Sequence, residues 1–424
     1  MADAGVTDRL VVDPGRIRAN LRAFARIGYS PDGGINRLAF SRADLRARQT
    51  LVHLLASLGL RTTIDGIGNV FGRLPDATDP GLPPVLVGSH LDTVPGGGRF
   101  DGSLGVVAAI EVAAVLREHA VTTRRPLEVV SFSCEESSRF GRSTLGSGIV
   151  AGVWEAEEVL RLSDARGARL GQVLERLGLS PDRVASARRM PGDFAAYVEL
   201  HIEQGRVLEE AHAPLGIVEA IAAPTRLRLE LTGRADHSGA TPMPLRRDAL
   251  AGAAEVVLAV ERVARSIPGI VGTVGTLAVE PGAINVVPGR TVLAIDVRGT
   301  VSADKRRAVD EIRGAIAAIA EQRGLAADLA VMSDEEPVRL DPSVVDLLER
   351  RAHERGVPAE RLASGAGHDA MQMARLCPTG MLMVPSRGGI SHNRAEWSAL
   401  DDIITGIQVL LDAAVALAEP VVAT

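Results

Sequence analysis

Apolar residues recur along this chain with two different periods. Residues 14–28 and 42–59 place them at helical spacing, with Ser41 as N-cap of the second helix and Asp44 three positions on. VLVGSHLDT (85–93) is a continuous apolar run ending in polar residues, as a strand buried on both faces should be. LEVVSFSCEE (127–136) and AAYVELHIEQG (195–205) repeat that pattern, and a mostly apolar helix, 102–119, lies between the first two runs. Strand, crossover helix and strand predict a parallel or mixed sheet covered by helices. In such sheets ligands gather at the carboxyl ends of the strands.

Near Ala222 the period changes. TRLRLELTG (225–233) alternates apolar and polar positions, as a half-exposed strand does. An amphipathic helix at 248–266, strands at 270–280 and 290–299, a helix at 303–323 and a strand at 326–333 follow. The order β-α-β-β-α-β is that of a ferredoxin-like sandwich, and about 110 residues suits one domain. After EEPVRLDP (335–342) the chain returns to helices and short strands. The expected fold class is therefore α/β, with two parts. One is a discontinuous mixed-sheet domain, 1–222 and 336–424, with helices on both faces; the other is an inserted ferredoxin-like α+β domain, 223–335.

Composition narrows the function more than the fold. The chain of 424 residues has a net charge of −6, which argues against nucleic acid or an anionic membrane as main partner. Aromatic residues make up 3%, too few for a base-stacking platform. Two cysteines, Cys134 and Cys377, make no disulfide framework, and a reducing cytoplasm is the expected location. No apolar run reaches the ~18 residues of a membrane span. MADAGVTDRLVVDPGR lacks the basic-then-apolar order of a signal peptide.

The candidate chemistry lies in six residues at strand ends or Gly-rich turns: His90, Asp101, Glu135, Glu136, His201 and His392. They supply five metal-ligand side chains and one spare carboxylate. Asp101 follows the glycines at 96–98, and a carboxylate can bridge two cations where a histidine cannot. Asp92, two residues after His90, is placed to receive the second ring N–H of that histidine. Two adjacent acids at a strand end raise each other's pKa, unless one binds metal and the other takes a proton from water. Each segment alone has a plainer reading: a glycine loop, two solvated glutamates, a packed core histidine. Arg298, at a strand end, fits either a bidentate grip on a substrate carboxylate or a surface salt bridge. His368 and Asp369, in GAGHDA, fit either a pocket wall or a turn with Asp369 capping the next helix. Cys134 reads as a small core residue, and His53, His119, His212 and His353 as surface residues.

In order and spacing, GSHLDTV, FDG, CEE, ELHIEQG, DHSGATPM, DVRG and SHNRAE resemble the di-metal amidohydrolases of the aminoacylase superfamily. The branch resembled holds N-carbamoyl-L-amino acid hydrolases, allantoate amidohydrolases and β-ureidopropionases, and the likeness runs from about residue 15 to 415. It implies two divalent ions per chain, zinc or else manganese, cobalt or nickel. His90 and His201 would hold one ion, Glu136 and His392 the other, and Asp101 would bridge them. Glu135 would be the general base, and Gln204, His237, Asn285 and Arg298 would bind substrate, with His368 in the pocket. His237 would also stabilise the oxyanion, reaching the site of a partner subunit. The resemblance further implies a homodimer joined through the inserted domain, which would serve as lid. The implied reaction is hydrolysis of an N-carbamoyl-L-amino acid to L-amino acid, ammonia and carbon dioxide. Allantoate, a β-ureido acid or another amide on the same machinery is the alternative. A silent metabolite-binding relative would show a broken ligand set, and this sequence shows none.

Overall fold

The four central strands of the larger sheet are apolar at almost every position because both faces are covered. The computed structural model describes residues 10–421, so the first nine residues of the stretch read for a signal peptide lie outside the described residues. Strands Leu127–Phe132, Val85–His90, Ala196–Ile202 and Thr379–Val384 lie side by side and parallel, and all their residues are buried. Antiparallel partners extend the sheet on both sides, Val70–Arg73 and Arg61–Ile64 beyond one edge and Leu215–Ile221 beyond the other. This is a mixed α/β architecture. The crossover helix Ser103–Glu118 is buried from Ser103 to Leu116, which explains its lack of a polar face. Ser41 caps the helix Arg42–Ser57 as expected, accepting from the Asp44 N–H.

Parallel pairing puts four carboxyl ends at one edge. In register, His90 stands opposite Phe132 and Met383 opposite His201. The strand expected over 85–93 stops at His90, where the chain turns to reach Asp101. Residues 137–194, which display no clear period, fold into short helices, Leu145–Val150, Ala156–Arg161 and Leu170–Arg176, and a 3-10 turn, Pro181–Ala187. Their apolar residues pack with Cys134 into a separate small core, so Cys134 is a packed residue.

Ala220–Arg339 forms a second compact unit. Its antiparallel sheet runs Ala326–Asp334, Ala223–Thr232, Arg290–Gly299, Ile270–Glu280. Two-residue strands aside, the order along the chain is β-α-β-β-α-β, with helices Ala249–Ser266 and Ser302–Arg323. Leu227, Leu229, Leu231, Leu293, Ile295 and Val297 point into its core together with Val256 and Ile312 of the helices. The alternate positions carry ion pairs such as Glu230 with Arg290. That is the physical meaning of the period-two pattern.

Candidate metal centre

Four groups of the centre, His90, His201, Glu135 and Glu136, sit at or just past the end of a buried strand, and Asp101 and His392 lie on the loops beyond two such ends. His90 ends one strand, and His201 is the penultimate residue of the next. Glu135 and Glu136 follow Cys134, whose φ of 55° turns the chain at the end of Leu127–Phe132. Asp101 is aimed by a tight turn: Ser103 N–H donates to Asp101 O at 2.6 Å across Gly102, with φ 62° and ψ −46°. A side chain on Gly102 would put a Cβ 2.4 Å from the His90 ring, so glycine is required there twice over.

These ends converge on Asp101. Its Oδ1 lies 3.2 Å from His201 Nε2 and 3.9 Å from His90 Nε2. Its Oδ2 lies 3.1 Å from His392 Nε2, which is 3.2 Å from Glu136 Oε1. Two trios result, His90–Asp101–His201 and Asp101–Glu136–His392, each with donor atoms within 4.8 Å of one another. Asp101 belongs to both. Glu135 belongs to neither, although its Oε2 is 3.7 Å from His90 Nε2.

The outer ring nitrogens are occupied. His90 Nδ1 lies 3.0 Å from the Asp92 carbonyl and His201 Nδ1 2.9 Å from the Ile202 carbonyl, which leaves each Nε2 lone pair facing inward. The Asp92 carboxylate is not the partner of His90, whose Nδ1 is 3.7 Å from Oδ1. It instead accepts the N–H groups of Glu135 at 3.1 Å and Glu136 at 3.0 Å. Asp92 thus clamps one strand end to the next.

Burial pushes the Glu135 carboxyl well above the usual range, and Glu136, Asp369, Asp92 and Asp101 add to the effect. Burial also raises Glu136, against a hydrogen bond from His392. For Asp101 burial opposes charge, yet hydrogen bonds from His201 and His392 hold it well below an ordinary carboxylate. Burial lowers His90 to about 4. Burial opposes charge on His201 as well, but Asp101 lifts it to about 9. Asp101 and Glu136 lift His392 to about 10. A mixed imidazole and carboxylate set of this kind fits divalent ions such as zinc, manganese, cobalt or nickel.

Gln204 lies in the same cluster. Its Nε2 donates to Asp101 Oδ2 at 3.1 Å, while its Oε1 is buried without a partner among the described residues. His368 is buried, with its ring centroid 4.5 Å from that of His201 and its Nε2 2.8 Å from Ser364 Oγ. Asp369 does not cap the following helix. It is that helix's first residue, and its carboxylate accepts from Ser147 Oγ. Glu199, His201 and His368 make a third trio, but Glu199 already accepts from Ser89, Tyr197 and the Ala370 N–H. His53, His119, His212 and His353 are exposed.

His237 and Asn285 come together in the other unit. Val286 pairs with His237, and the Ser238 N–H donates to Asn285 O at 3.0 Å. His237 Nδ1 accepts from Gly239 and Ala240 N–H, both at 3.1 Å, so the neutral ring carries its proton on Nε2. Arg298 grips Asp296 through Nε at 2.8 Å and Nη2 at 3.2 Å. It stands eight residues along the strand from Arg290, next to the His237 and Asn285 turn, a span of roughly 26 Å. The structure brings His237 and Asn285 together, and does not bring Arg298 to them.

Sequence reasoning missed Glu396. Its Oε1 accepts the N–H groups of Phe100 at 2.8 Å and Asp101 at 3.2 Å, and its Oε2 accepts from Ser391 Oγ at 3.1 Å. It ties the Asp101 loop to the His392 loop. A side chain on Gly98 would put a Cβ 2.1 Å from it, a spacing the Gly-rich run 96–98 signalled only in general terms. Arg37, fully buried, braces the same loop through Leu91 O and Ser103 Oγ.

Residues 86–416 match the family described as peptidase family M20/M25/M40. Over 399 residues the chain is 42% identical to N-carbamoyl-L-amino acid amidohydrolase of Geobacillus stearothermophilus, covering 93% of this chain and 96% of that one. It is 35% identical to allantoate amidohydrolase of Bacillus subtilis (strain 168), covering 92% and 94%. An amidase of the hydantoinase/carbamoylase family from Burkholderia multivorans, a crystal structure, matches with a TM-score of 0.91 at 37% identity, covering 96% and 98%.

Proposed function

The chain belongs to peptidase family M20/M25/M40 and is a hydrolytic enzyme acting on amides, and we propose that it cleaves the ureido C–N bond of N-carbamoyl-L-amino acids. The observation that carries this reading is the Asp101 carboxylate shared by two ligand trios, with the uncommitted acid Glu135 beside them. The similarity to N-carbamoyl-L-amino acid amidohydrolase over nearly the whole chain supports the substrate class.

His90, His201 and Asp101 would hold one divalent ion, and Asp101, Glu136 and His392 a second. Zinc, manganese, cobalt and nickel all suit the donors. When bound, the ions supply a water acidified towards neutrality and a positive charge beside the substrate carbonyl. Glu135 takes the water proton as the new C–O bond forms at the carbamoyl carbon. Its environment raises its affinity for that proton, so it can hold it and return it to the leaving nitrogen as the C–N bond breaks. Ammonia departs, and the carbamate left on the amino acid loses carbon dioxide on protonation at nitrogen. His237, donating through Nε2, would stabilise the developing oxyanion. Arg298 would grip the substrate carboxylate, Gln204 and Asn285 its polar groups, and buried His368 would shape the pocket wall.

Arg298 stands eight residues, roughly 26 Å, along the strand from Arg290, which lies at the end nearer the His237 and Asn285 turn, so one small substrate meets only one of the two in a single copy. That separation supports a homodimer in which His237 of the partner subunit completes the site, with Ala220–Arg339 as lid and dimerisation unit. No helix among the described residues is long and apolar enough to cross a membrane. The test is ammonia release by protein stripped with chelator and reloaded with manganese, zinc, cobalt or nickel. Metal-dependent turnover of N-carbamoyl-L-methionine supports the reading. Turnover of allantoate or N-carbamoyl-β-alanine in its place would transfer it to the alternative substrates.

A further inference from the structure

The helix Pro14–Arg26 carries Arg18, Arg22 and Arg26 at four-residue spacing, a single stripe on its surface. Ile17, Leu21 and Phe24 bury the opposite side. Arg16, off the stripe, is paired with Glu111 and Glu118. The three stripe arginines are exposed and form no ion pair with any described residue, and the same holds for Arg99. In a chain of net charge −6, four uncompensated guanidinium groups are gathered on one patch.

The patch borders two adjoining cavities of about 240 and 260 Å³, and Arg22 and Arg99 line both. The floor of the first is apolar, made by Leu21, Phe100 and Ile403, with Trp397 as a wall. Arg99 lies over the Trp397 ring, 5.5 Å from its centroid. Arg26 and Arg394 line the second cavity. An occupant of the first must therefore have an apolar body, and its head must meet Arg22 and Arg99 at the partition. A space of 240 Å³ equals the volume of about eight waters, enough for one ring or a short chain.

We propose that this cavity is a binding site for a small organic carboxylate with an apolar body, separate from the metal centre. The fork of a guanidinium matches a carboxylate, and the floor removes the body from water. Inorganic phosphate satisfies the arginines but leaves the floor wet. A neutral isostere fills the floor but leaves the arginines uncompensated. The site also adjoins the catalytic loops. Phe100 and Trp397 meet edge to face at 5.7 Å, Phe100 precedes Asp101, and Trp397 follows Glu396. The two rings thus join the cavity wall to the loops that carry Asp101 and His392.

The test is isothermal titration of the metal-loaded protein with phenylacetate, phenylacetamide and inorganic phosphate. Saturable binding of phenylacetate is expected, weakened about tenfold or more for phenylacetamide, for phosphate and for the Arg22→Ala/Arg99→Ala variant. Arg298→Ala, which alters only the proposed substrate site, should leave phenylacetate binding unchanged. The surface variants should fold normally and keep basal ammonia release. The proposal is overturned by no saturation at millimolar phenylacetate, or by equal affinity for phosphate. It is also overturned if binding survives Arg22→Ala/Arg99→Ala and is lost in Arg298→Ala.

Discussion

Replacing Gly102 by alanine should weaken both the fold and metal binding. Two separate costs arise. The first is backbone strain, since φ 62° with ψ −46° is a conformation that costs an L residue about 1–3 kcal/mol. The second is a collision. The new Cβ would stand 2.4 Å from His90 Cε1 and Nδ1, and 2.5 Å from Nε2. Normal carbon contacts begin near ~3.5 Å, so the ring must retreat by about 1 Å. Metal–ligand distances tolerate roughly 0.2 Å, and lesser disturbances to ligand support already reduce affinity about 10–100-fold. Gly96→Ala separates the two costs. Gly96 has a φ of 64° in the same loop, but an added Cβ there meets no atom within 4 Å. Chelator-competition titrations of wild type and both variants, with melting temperatures, make the comparison. Gly96→Ala should melt a few degrees lower and bind metal normally, whereas Gly102→Ala should lose at least tenfold in affinity for one ion. Wild-type metal affinity in Gly102→Ala would refute the placing of His90 and Asp101 around one cation.

Glu135→Gln should retain its metal, measured by elemental analysis, and lose about 10²–10⁴ in kcat; normal turnover would assign the base elsewhere. Arg298→Lys should mainly raise KM for a carboxylate substrate, because a point charge replaces a fork, and an unchanged KM would remove Arg298 from that role. Asp92→Asn loses one accepted N–H bond and leaves a buried donor facing an amide N–H, so stability should fall by about 2–4 kcal/mol in denaturant titrations. A loss below the error of that titration would show that Asp92 does not clamp the Glu135 strand end. Chelator should lower the melting temperature of the wild type and metal should restore it, because a ligand of the native state stabilises it by mass action. A melting curve indifferent to both would contradict metal binding in the native fold.

The strands of the inserted unit could be read almost residue by residue, since a sheet with one wet face alternates visibly and Asp248 and Gly324 mark helix ends. The buried strands were equally legible as apolar runs, and their polar last residues pointed to the site. Residues 137–194 were not, because helices of six or seven residues complete too few turns to display a period. Asp92 illustrates a second limit. Its proximity to His90 in sequence suggested the ring as partner, but the parallel pairing of the two strands offers it two backbone N–H groups instead. Glu396 shows a third. It acts on Asp101 from 295 positions away, and only the fold brings them together. The placement of Arg298 away from His237 and Asn285 follows from strand length, which is legible only once the strand is known to run unbroken from Arg290 to Gly299.

A stepwise metal titration tests most directly whether Asp101 holds two ions at once. Ammonia release from N-carbamoyl-L-methionine would be followed against manganese bound per chain, starting from stripped protein. Turnover should rise with the second ion, and Asp101→Asn should abolish both the second binding event and the activity. Full turnover with one ion per chain, or with none, would contradict it.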